Sequence, residues 1–199
     1  MSKLTFDEAS HTYAIDGVRV PSVTGIINRV LPYDFNASEW HLNRGAATHR
    51  ACELLDNASL DWLTVDPEIL PRVQAWESFR RDTPQMKLVA CEERLAHSGL
   101  MFAGTVDRIF SDGKHLIVAD LKNSVSPQVK IQLAFYSILW AHNKHHQPLE
   151  AVAVELCDDG KYKCHWVSRL ELRKAERQAL AVLSVYNFAV ENGLLEKRS

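Results

Sequence analysis

Residues with the potential for chemistry lie together in one stretch, GTVDRIFSDGKHLIVADLK, at positions 104–122. Asp107, Asp120 and Lys122 occur there among valine, isoleucine and leucine. A carboxylate in an apolar strand is costly to bury unless it is paired or binds a cation. Two convergent carboxylates form the hard oxygen site that Mg²⁺ or Mn²⁺ prefers, and a lysine beside them can orient a water or stabilise a phosphoryl oxygen. Together, these residue types are suited to metal-assisted hydrolysis of a phosphodiester.

A β-hairpin is expected to position these residues. The segments 101–110 and 114–122 read as strands, and Ser111-Asp112-Gly113 is typical of the turn between them. In an antiparallel pair, position 107 is expected across from about position 118, so that the two aspartates converge at one end of the hairpin. Because side chains alternate along a strand, Asp120 and Lys122 are expected on the same face.

The other elements surround this hairpin. A hairpin is predicted over 11–20 around Asp16-Gly17, with helices over 23–31, about 37–55, and 70–81. A strand over 87–96 comes before the central hairpin. A helix, two strands and a last helix are predicted after it, over 129–144, 149–157, 161–168 and about 171–191. This order predicts an α/β fold, with a central mixed sheet flanked by helices and an N-terminal helical elaboration.

The length of 199 residues fits one domain. We divide it into a hairpin and helical part (1–85), a catalytic sheet with a helix at 129–146 (86–168), and a C-terminal helix (169–199). A net charge of −2 argues against a protein that binds nucleic acid through bulk charge, although a local basic groove stays compatible with it. No apolar run is long enough for a membrane span, and the N-terminus lacks an apolar signal core, so a cytoplasmic protein with no membrane partner is expected.

Two segments of the chain resemble the active-site signature of the PD-(D/E)XK nuclease superfamily. Asp107, followed by Asp120-Leu121-Lys122, resembles its acidic and (D/E)XK halves. The preceding GTVD resembles the GxxD form of the RecB-type and lambda-exonuclease-type branches. This resemblance implies a restriction-endonuclease-like core.

Three further motifs carry the same resemblance, in the expected order. The segment RGAATHRACEL resembles a RecB-type helical motif, with Gly45, His49 and Glu53 at the matching positions. QLAFY resembles the QxxxY motif through Gln132 and Tyr136, four residues apart on one helical face. PSVT, at 21–24, resembles the entry segment of phage exonuclease-like proteins and of the mitochondrial genome-maintenance exonuclease.

The resemblance implies a role for each matching residue. The implied metal ligands are His49, Asp107, Asp120 and the carbonyl of Leu121, with Glu92 binding directly or through water. Glu93 is the competing assignment for that glutamate. Lys122 is expected to orient or activate the attacking water. One or two Mg²⁺ or Mn²⁺ ions would be bound.

A second set of residues is predicted to contact DNA. It consists of Gln132, Tyr136, Ser22, Thr24 and Arg44. Each also has a structural interpretation: Ser22 and Thr24 as a helix cap and first turn, Gln132 as a neutral surface residue, Tyr136 as core, and Arg44 as part of a solvated helical face.

The implied activity is a DNA exonuclease of phage or phage-derived recombination or repair, in a bacterial or phage-infected cell. Its partner is DNA with a free end, and a homo-oligomer and a single-strand annealing protein are further candidates. A structure-specific endonuclease with the same site and a non-catalytic DNA-binding module stay open as alternatives. The direction of cleavage, the preference for single- or double-stranded substrate, and the choice between DNA and RNA also stay open.

Overall fold

The N-terminal region forms a small antiparallel sheet. The structure, a computed structural model, describes residues 2–33 and 39–195. The strands are β1 (Leu4–Asp7), β2 (Thr12–Ile15) and β3 (Val18–Val20), in the order β1-β2-β3. The predicted hairpin is confirmed: Asp16 and Gly17 both have positive φ, as a two-residue turn of this kind requires. The sequence does not predict strand β1, because four residues are too few to show the alternation of apolar and polar residues that is typical of a strand.

Three helices follow the small sheet. They are α1 (Val23–Val30), α2 (Glu39–Asp56) and α3 (Leu70–Asp82), and a short 3₁₀ turn, Trp62–Thr64, lies between the last two. Ser22 caps α1 as predicted, because its Oγ accepts a hydrogen bond from the backbone N–H of Gly25 at 3.0 Å. The predicted start of α2 near Ala37 lies outside the described residues.

The central sheet has five strands in the order in which they occur along the chain. They are β4 (Lys87–His97), β5 (Phe102–Ser111), β6 (Leu116–Lys122), β7 (Glu150–Leu156) and β8 (Tyr162–Val167). Strands β6 and β7 are parallel and the other pairs are antiparallel, so the mixed sheet is confirmed. Helix α4 (Val129–Lys144) makes the crossover that a parallel pair requires, and α5 (Arg169–Glu191) follows β8.

Helices cover both faces of this sheet. On one face, α1, α4 and α5 pack against residues such as Val106 and Val118. On the other, Trp76 and Phe79 of α3 pack against Phe110 and neighbouring strand residues. Sheet residues are therefore buried on both sides, which explains the continuous apolar run of β6. The expected α/β architecture with flanking helices is confirmed, and any charged side chain in the middle strands must find its partner inside the protein.

Candidate metal centre and nuclease site

The two aspartates lie where the pairing of β5 with β6 ends. The last paired residues at this end are Arg108 and Ala119, so Asp107 and Asp120 come directly beyond them. The expectation that position 107 lies across from about 118 is wrong by two residues, because Val118 pairs with Ile109. Convergence at one end of the hairpin is nevertheless observed.

Beyond the last backbone pair, the side chain of Asp107 provides the next hydrogen bond between the two strands. The backbone N–H of Leu121 donates to Oδ2 of Asp107 at 3.2 Å. Beyond the last backbone pair, Asp107 thus satisfies a strand N–H with its carboxylate. The two strands are tied together at the position where their acidic residues begin.

Helix α2 brings His49 to the same place. An added Cβ on Gly45 would lie only 3.4 Å from Nδ2 of Asn123, so the helix approaches closely to the end of β6. One turn later, His49 Nε2 lies 3.1 Å from the Leu121 carbonyl oxygen, and Nδ1 lies 3.4 Å from Oδ2 of Asp107. The predicted histidine is therefore placed beside the predicted aspartate.

The electrostatics of His49 indicate a cation site. Burial, with a further contribution from Lys122, lowers the pKa of His49 to about 4, so the ring is neutral at pH 7. Because the Leu121 carbonyl can only accept, the 3.1 Å contact assigns the proton to Nε2, and the lone pair of Nδ1 then faces the carboxylate of Asp107. Two acceptors that face each other repel, and a divalent cation between them would remove that repulsion.

A glutamate completes the group of potential ligands. Ligand atoms of His49, Glu92 and Asp107 all lie within 4.8 Å of one another. Glu92 rather than Glu93 reaches this group, because Glu93 pairs with Lys144 at 2.8 Å. Glu92 also has a φ of 50° in the middle of β4, a left-handed conformation that is costly for a residue with a Cβ. Burial and then the charge of Asp107 raise its pKa to about 7.

Asp120 lies beside Lys122 rather than within that group of three. Its carboxylate is fully buried, and Oδ2 is 2.5 Å from Nζ of Lys122. Oδ1 has no hydrogen-bond partner among the described residues. Burial raises the pKa of Asp120 to about 7, with Lys122 acting in the opposite direction. An unsatisfied buried carboxylate oxygen is costly and is a suitable ligand for a metal ion.

The group of His49, Glu92 and Asp107 opens into a cavity of about 440 Å³, and Asp120 lies buried behind its lining. Its lining includes His49, Glu92 and Asp107, together with Ser22 and Thr24 at the start of α1. The cavity therefore joins the acidic group to a helix N-terminus that faces the same space.

Comparison with known proteins agrees with this chemistry. Residues 28–190, most of the chain, match the family model of the PD-(D/E)XK nuclease superfamily. The chain belongs to this superfamily. Its nucleases use divalent metals, and the group around His49 is a candidate site for one.

Two solved structures are similar at low identity. The crystal structure of an alkaline exonuclease, LHK-Exo, from Laribacter hongkongensis is 14% identical with a TM-score of 0.38, covering 87% of this chain and 92% of that chain. The crystal structure of SSO0001 is 18% identical with a TM-score of 0.32, and the match covers 72% of this chain and 70% of that chain. Among curated proteins, none matches significantly. Within the described residues, no helix has the length and apolar character needed to cross a lipid bilayer.

The two motif residues of α4 contact each other. Gln132 Nε2 donates to the hydroxyl oxygen of Tyr136 at 2.8 Å. Tyr136 is buried and lines the cavity, and burial followed by the charges of Asp107 and Asp120 raises its pKa well above the usual value. The tyrosine hydroxyl is therefore neutral at pH 7 and close to the acidic residues.

The arginines of α2 and α3 have different roles. Arg44 Nη2 is 3.1 Å from Asp158, and the guanidinium lies 4.7 Å from the ring of Trp40. Arg72 is buried against the same aspartate at 2.8 Å. Arg50 lines the cavity and pairs with Glu53, the glutamate of the helical motif, at 2.6 Å. Arg44 and Arg72 thus join helices α2 and α3 to the β7–β8 loop, whereas Arg50 faces the cavity.

Sequence reasoning missed one residue of the site, Arg108. It is fully buried, and its Nη1 donates to Oε1 of Glu92 at 2.7 Å while Nε donates to Oδ2 of Asp56 at 2.9 Å. Asp56 also accepts from Nε1 of Trp76 and pairs with Arg80. The signal was available: an arginine in the apolar segment VDRIF needs a buried partner for the same reason as the aspartate before it.

Proposed function

We propose that this chain is a metal-dependent DNA exonuclease that hydrolyses phosphodiester bonds at DNA ends. The observation that carries the proposal is the arrangement around Asp107, where a neutral His49 presents an acceptor to a carboxylate within a three-residue donor group. The buried, unsatisfied Oδ1 of Asp120 supports it independently. Both features are unfavourable without a cation and favourable with one.

The residues present suit Mg²⁺ or Mn²⁺. His49, Asp107 and Asp120 would hold the ion, with Glu92 as a direct ligand or through water. The Leu121 carbonyl accepts from His49 and keeps a second lone pair, which makes it a further candidate ligand. A bound ion would polarise the scissile phosphate and lower the pKa of a water.

Lys122 is assigned to orient the attacking water and to stabilise charge on the phosphate. Burial disfavours the charge of Lys122, but Asp120 and Asp107 outweigh this and raise its pKa. The amine is therefore protonated at neutral pH and acts as a donor. This favours an electrostatic role over that of a general base.

The DNA-binding assignments are of two kinds. Ser22, Thr24 and Tyr136 line the cavity and are assigned to direct contact with the substrate, and Gln132 is assigned to hold the Tyr136 hydroxyl in place. Arg44 is engaged with Asp158, and its assignment to DNA requires that this exposed carboxylate give way to a phosphate.

The remaining assignments rest on the motif resemblance. The GxxD, helical and PSVT motifs resemble branches that act at DNA ends, and this supports an exonuclease and a role in phage or phage-derived recombination or repair. A homo-oligomer, a single-strand annealing partner and a cytoplasmic location belong to the same proposal.

Cleavage by the wild type and by Lys122→Ala tests the function. Linear duplex, linear single-stranded and closed circular DNA would each be incubated with Mg²⁺, Mn²⁺ or EDTA. We expect metal-dependent degradation of linear DNA only, lost in Lys122→Ala. Lys114→Ala, an exposed lysine in the turn of the same hairpin, is the matched control and should keep full activity.

The other outcomes are equally informative. Cutting of circles would establish the endonuclease. If neither metal supported cleavage by the wild type but the protein bound DNA, the catalytic assignment would be wrong and the chain would be a binding module. Thermal unfolding of Lys122→Ala confirms that any lost activity is not lost folding.

A further inference from the structure

The cavity has a second wall that the metal chemistry does not require. Phe6, His11 and Tyr13, which we call the aromatic wall, line it from the small N-terminal sheet. The rings of Phe6 and Tyr13 are 4.7 Å apart, and those of Phe6 and His11 are 5.0 Å apart at 84°. Three aromatic rings thus share a cavity with an acidic group of ligands.

The aromatic wall is fixed relative to that acidic group. The hydroxyls of Tyr13 and Thr105 are 2.7 Å apart, which ties the small sheet to β5. The backbone N–H of Ala103 donates to the carbonyl of Pro21 at 3.0 Å, and this gives a second attachment. Thr105 is two residues before Asp107, which is roughly 7 Å along a strand. The wall therefore lies beside the reacting position, at a set distance.

A basic residue, Arg94, lines the same cavity. Arg94 pairs with Thr105 across the strands and is two residues after Glu92. Its guanidinium lies 4.3 Å from the ring of Phe6, and Nη2 is 3.0 Å from Glu8. The side chains of Arg94 and Glu8 are 47% and 78% exposed, so this ion pair contributes little and can be exchanged for a phosphate.

Of the residues in the aromatic wall, His11 is the one whose ring is available for binding rather than used in packing. Tyr13 is buried and belongs to a small core with Ile15 and Val20, so its ring already has a structural purpose. His11 is exposed and lies in the turn between β1 and β2, where a left-handed φ of 52° is usual for a hairpin connection. Its ring lines the cavity with an edge-on contact to Phe6 and is not part of the core that holds Tyr13.

We propose that Arg94 and the aromatic wall form a subsite for the nucleotide next to the scissile phosphate. Arg94 binds the phosphate of that nucleotide, and the exposed ring of His11 stacks on its base. Because a base offers its face to a side chain only when it is unstacked, the ligand is a single-stranded segment. This inference rests on the proposed function, which places the reacting phosphate at the acidic group.

Binding of a short oligonucleotide tests the phosphate contact. A fluorescein-labelled single-stranded decamer would be titrated in EDTA, which excludes cleavage, and anisotropy would give the affinity at several salt concentrations. We expect Arg94→Gln to weaken binding about tenfold and to reduce the slope of log K against log salt by about 0.7, the loss of one phosphate contact on a single strand. Arg81→Gln is the matched control, an exposed arginine paired with Asp82, and should match the wild type.

An abasic decamer tests the stacking contact. The wild type should prefer the normal decamer by about 5- to 140-fold, the range for one stacked base. His11→Ala should abolish this preference while leaving the salt slope unchanged. An Arg94→Gln protein with wild-type affinity and slope, or a His11→Ala protein that keeps the base preference, would overturn the subsite.

The two proposals fail separately. Loss of affinity in both variants, with no cleavage by the wild type in any metal, would support the subsite and reject the nuclease activity. Normal metal-dependent cleavage with unchanged binding in both variants would do the reverse. Both side chains are exposed, and a thermal melt of each variant verifies its fold.

Discussion

Replacing Arg108 by methionine is the sharpest test of how the site is built. Arg108 and Asp56 have side-chain exposures of 0% and 1%, so their 2.9 Å contact lies entirely inside the protein. Removal of one partner from a buried pair costs about 3–5 kcal/mol, because the remaining charge is left without compensation. Asp56 would keep only Trp76 and the longer contact with Arg80. A domain of this size has a free energy of unfolding of about 5–15 kcal/mol, so Arg108→Met should remove roughly a third of it.

Urea unfolding in EDTA measures this effect without a contribution from bound metal. Asp56→Asn and the double variant complete a cycle, and the double variant should cost about 1–3 kcal/mol less than the sum of the singles. Lys161→Met, which removes an exposed ion pair with Asp159, should change the free energy of unfolding by less than about 0.5 kcal/mol. If Arg108→Met cost under about 1 kcal/mol, or if the two singles added without coupling, the buried network would not have the role described.

Three further outcomes are expected. Burial and a neighbouring aspartate raise the pKa of Glu92 to about 7, so below that pH a metal ion must displace its proton in order to bind. The Mn²⁺ affinity measured by calorimetry should therefore rise with pH up to about 7 and then level off. An affinity that stays constant from pH 5 to 8 would contradict this. Gly104→Ala should lower the free energy of unfolding in urea by about 1–3 kcal/mol, because the new Cβ would lie 2.9 Å from a methyl group of Val23 in α1. Gly99→Ala is the control and should leave that free energy unchanged, because its Cβ would make only ordinary contacts. Ser168→Ala should lower the stability by about 1 kcal/mol through loss of the α5 capping box, and a thermal melt equal to that of exposed Ser184→Ala would argue against it.

The helices and strands of the core could be read from the sequence because their patterns are long. The helix predicted over 129–144 is α4, Val129–Lys144, since sixteen residues repeat the helical period and Pro148 follows. The Asp-Gly and Asp-x-Gly turns fixed the hairpins for a local reason, the positive φ that they supply. Strand β1 was missed because its formation depends on pairing with β2 rather than on its own four residues.

The site was predictable only in part. The aspartates at 107 and 120 stand out because a charge in an apolar strand demands an explanation, and their convergence follows from the hairpin. The role of Arg108 depends on Asp56, which is 52 positions away at the end of α2, and no local pattern joins the two. The preference for Glu92 over Glu93 comes from the motif resemblance, whereas its physical reason, the pairing of Glu93 with Lys144 of α4, depends on tertiary packing.

The buried charges link the proposed activity to the stability of the fold. Arg108 contacts Glu92, which faces the cavity, and Asp56, which faces the core, so one side chain belongs to both. A metal bound by Glu92, Asp107 and His49 would compensate charges that burial otherwise disfavours, and would bind the folded state far better than the unfolded chain. Since the same carboxylates must be free of protons to bind metal, the stabilisation by metal should itself depend on pH. The uncompensated carboxylates of the candidate site are therefore expected to lower the stability of the fold without metal, and bound metal should restore it.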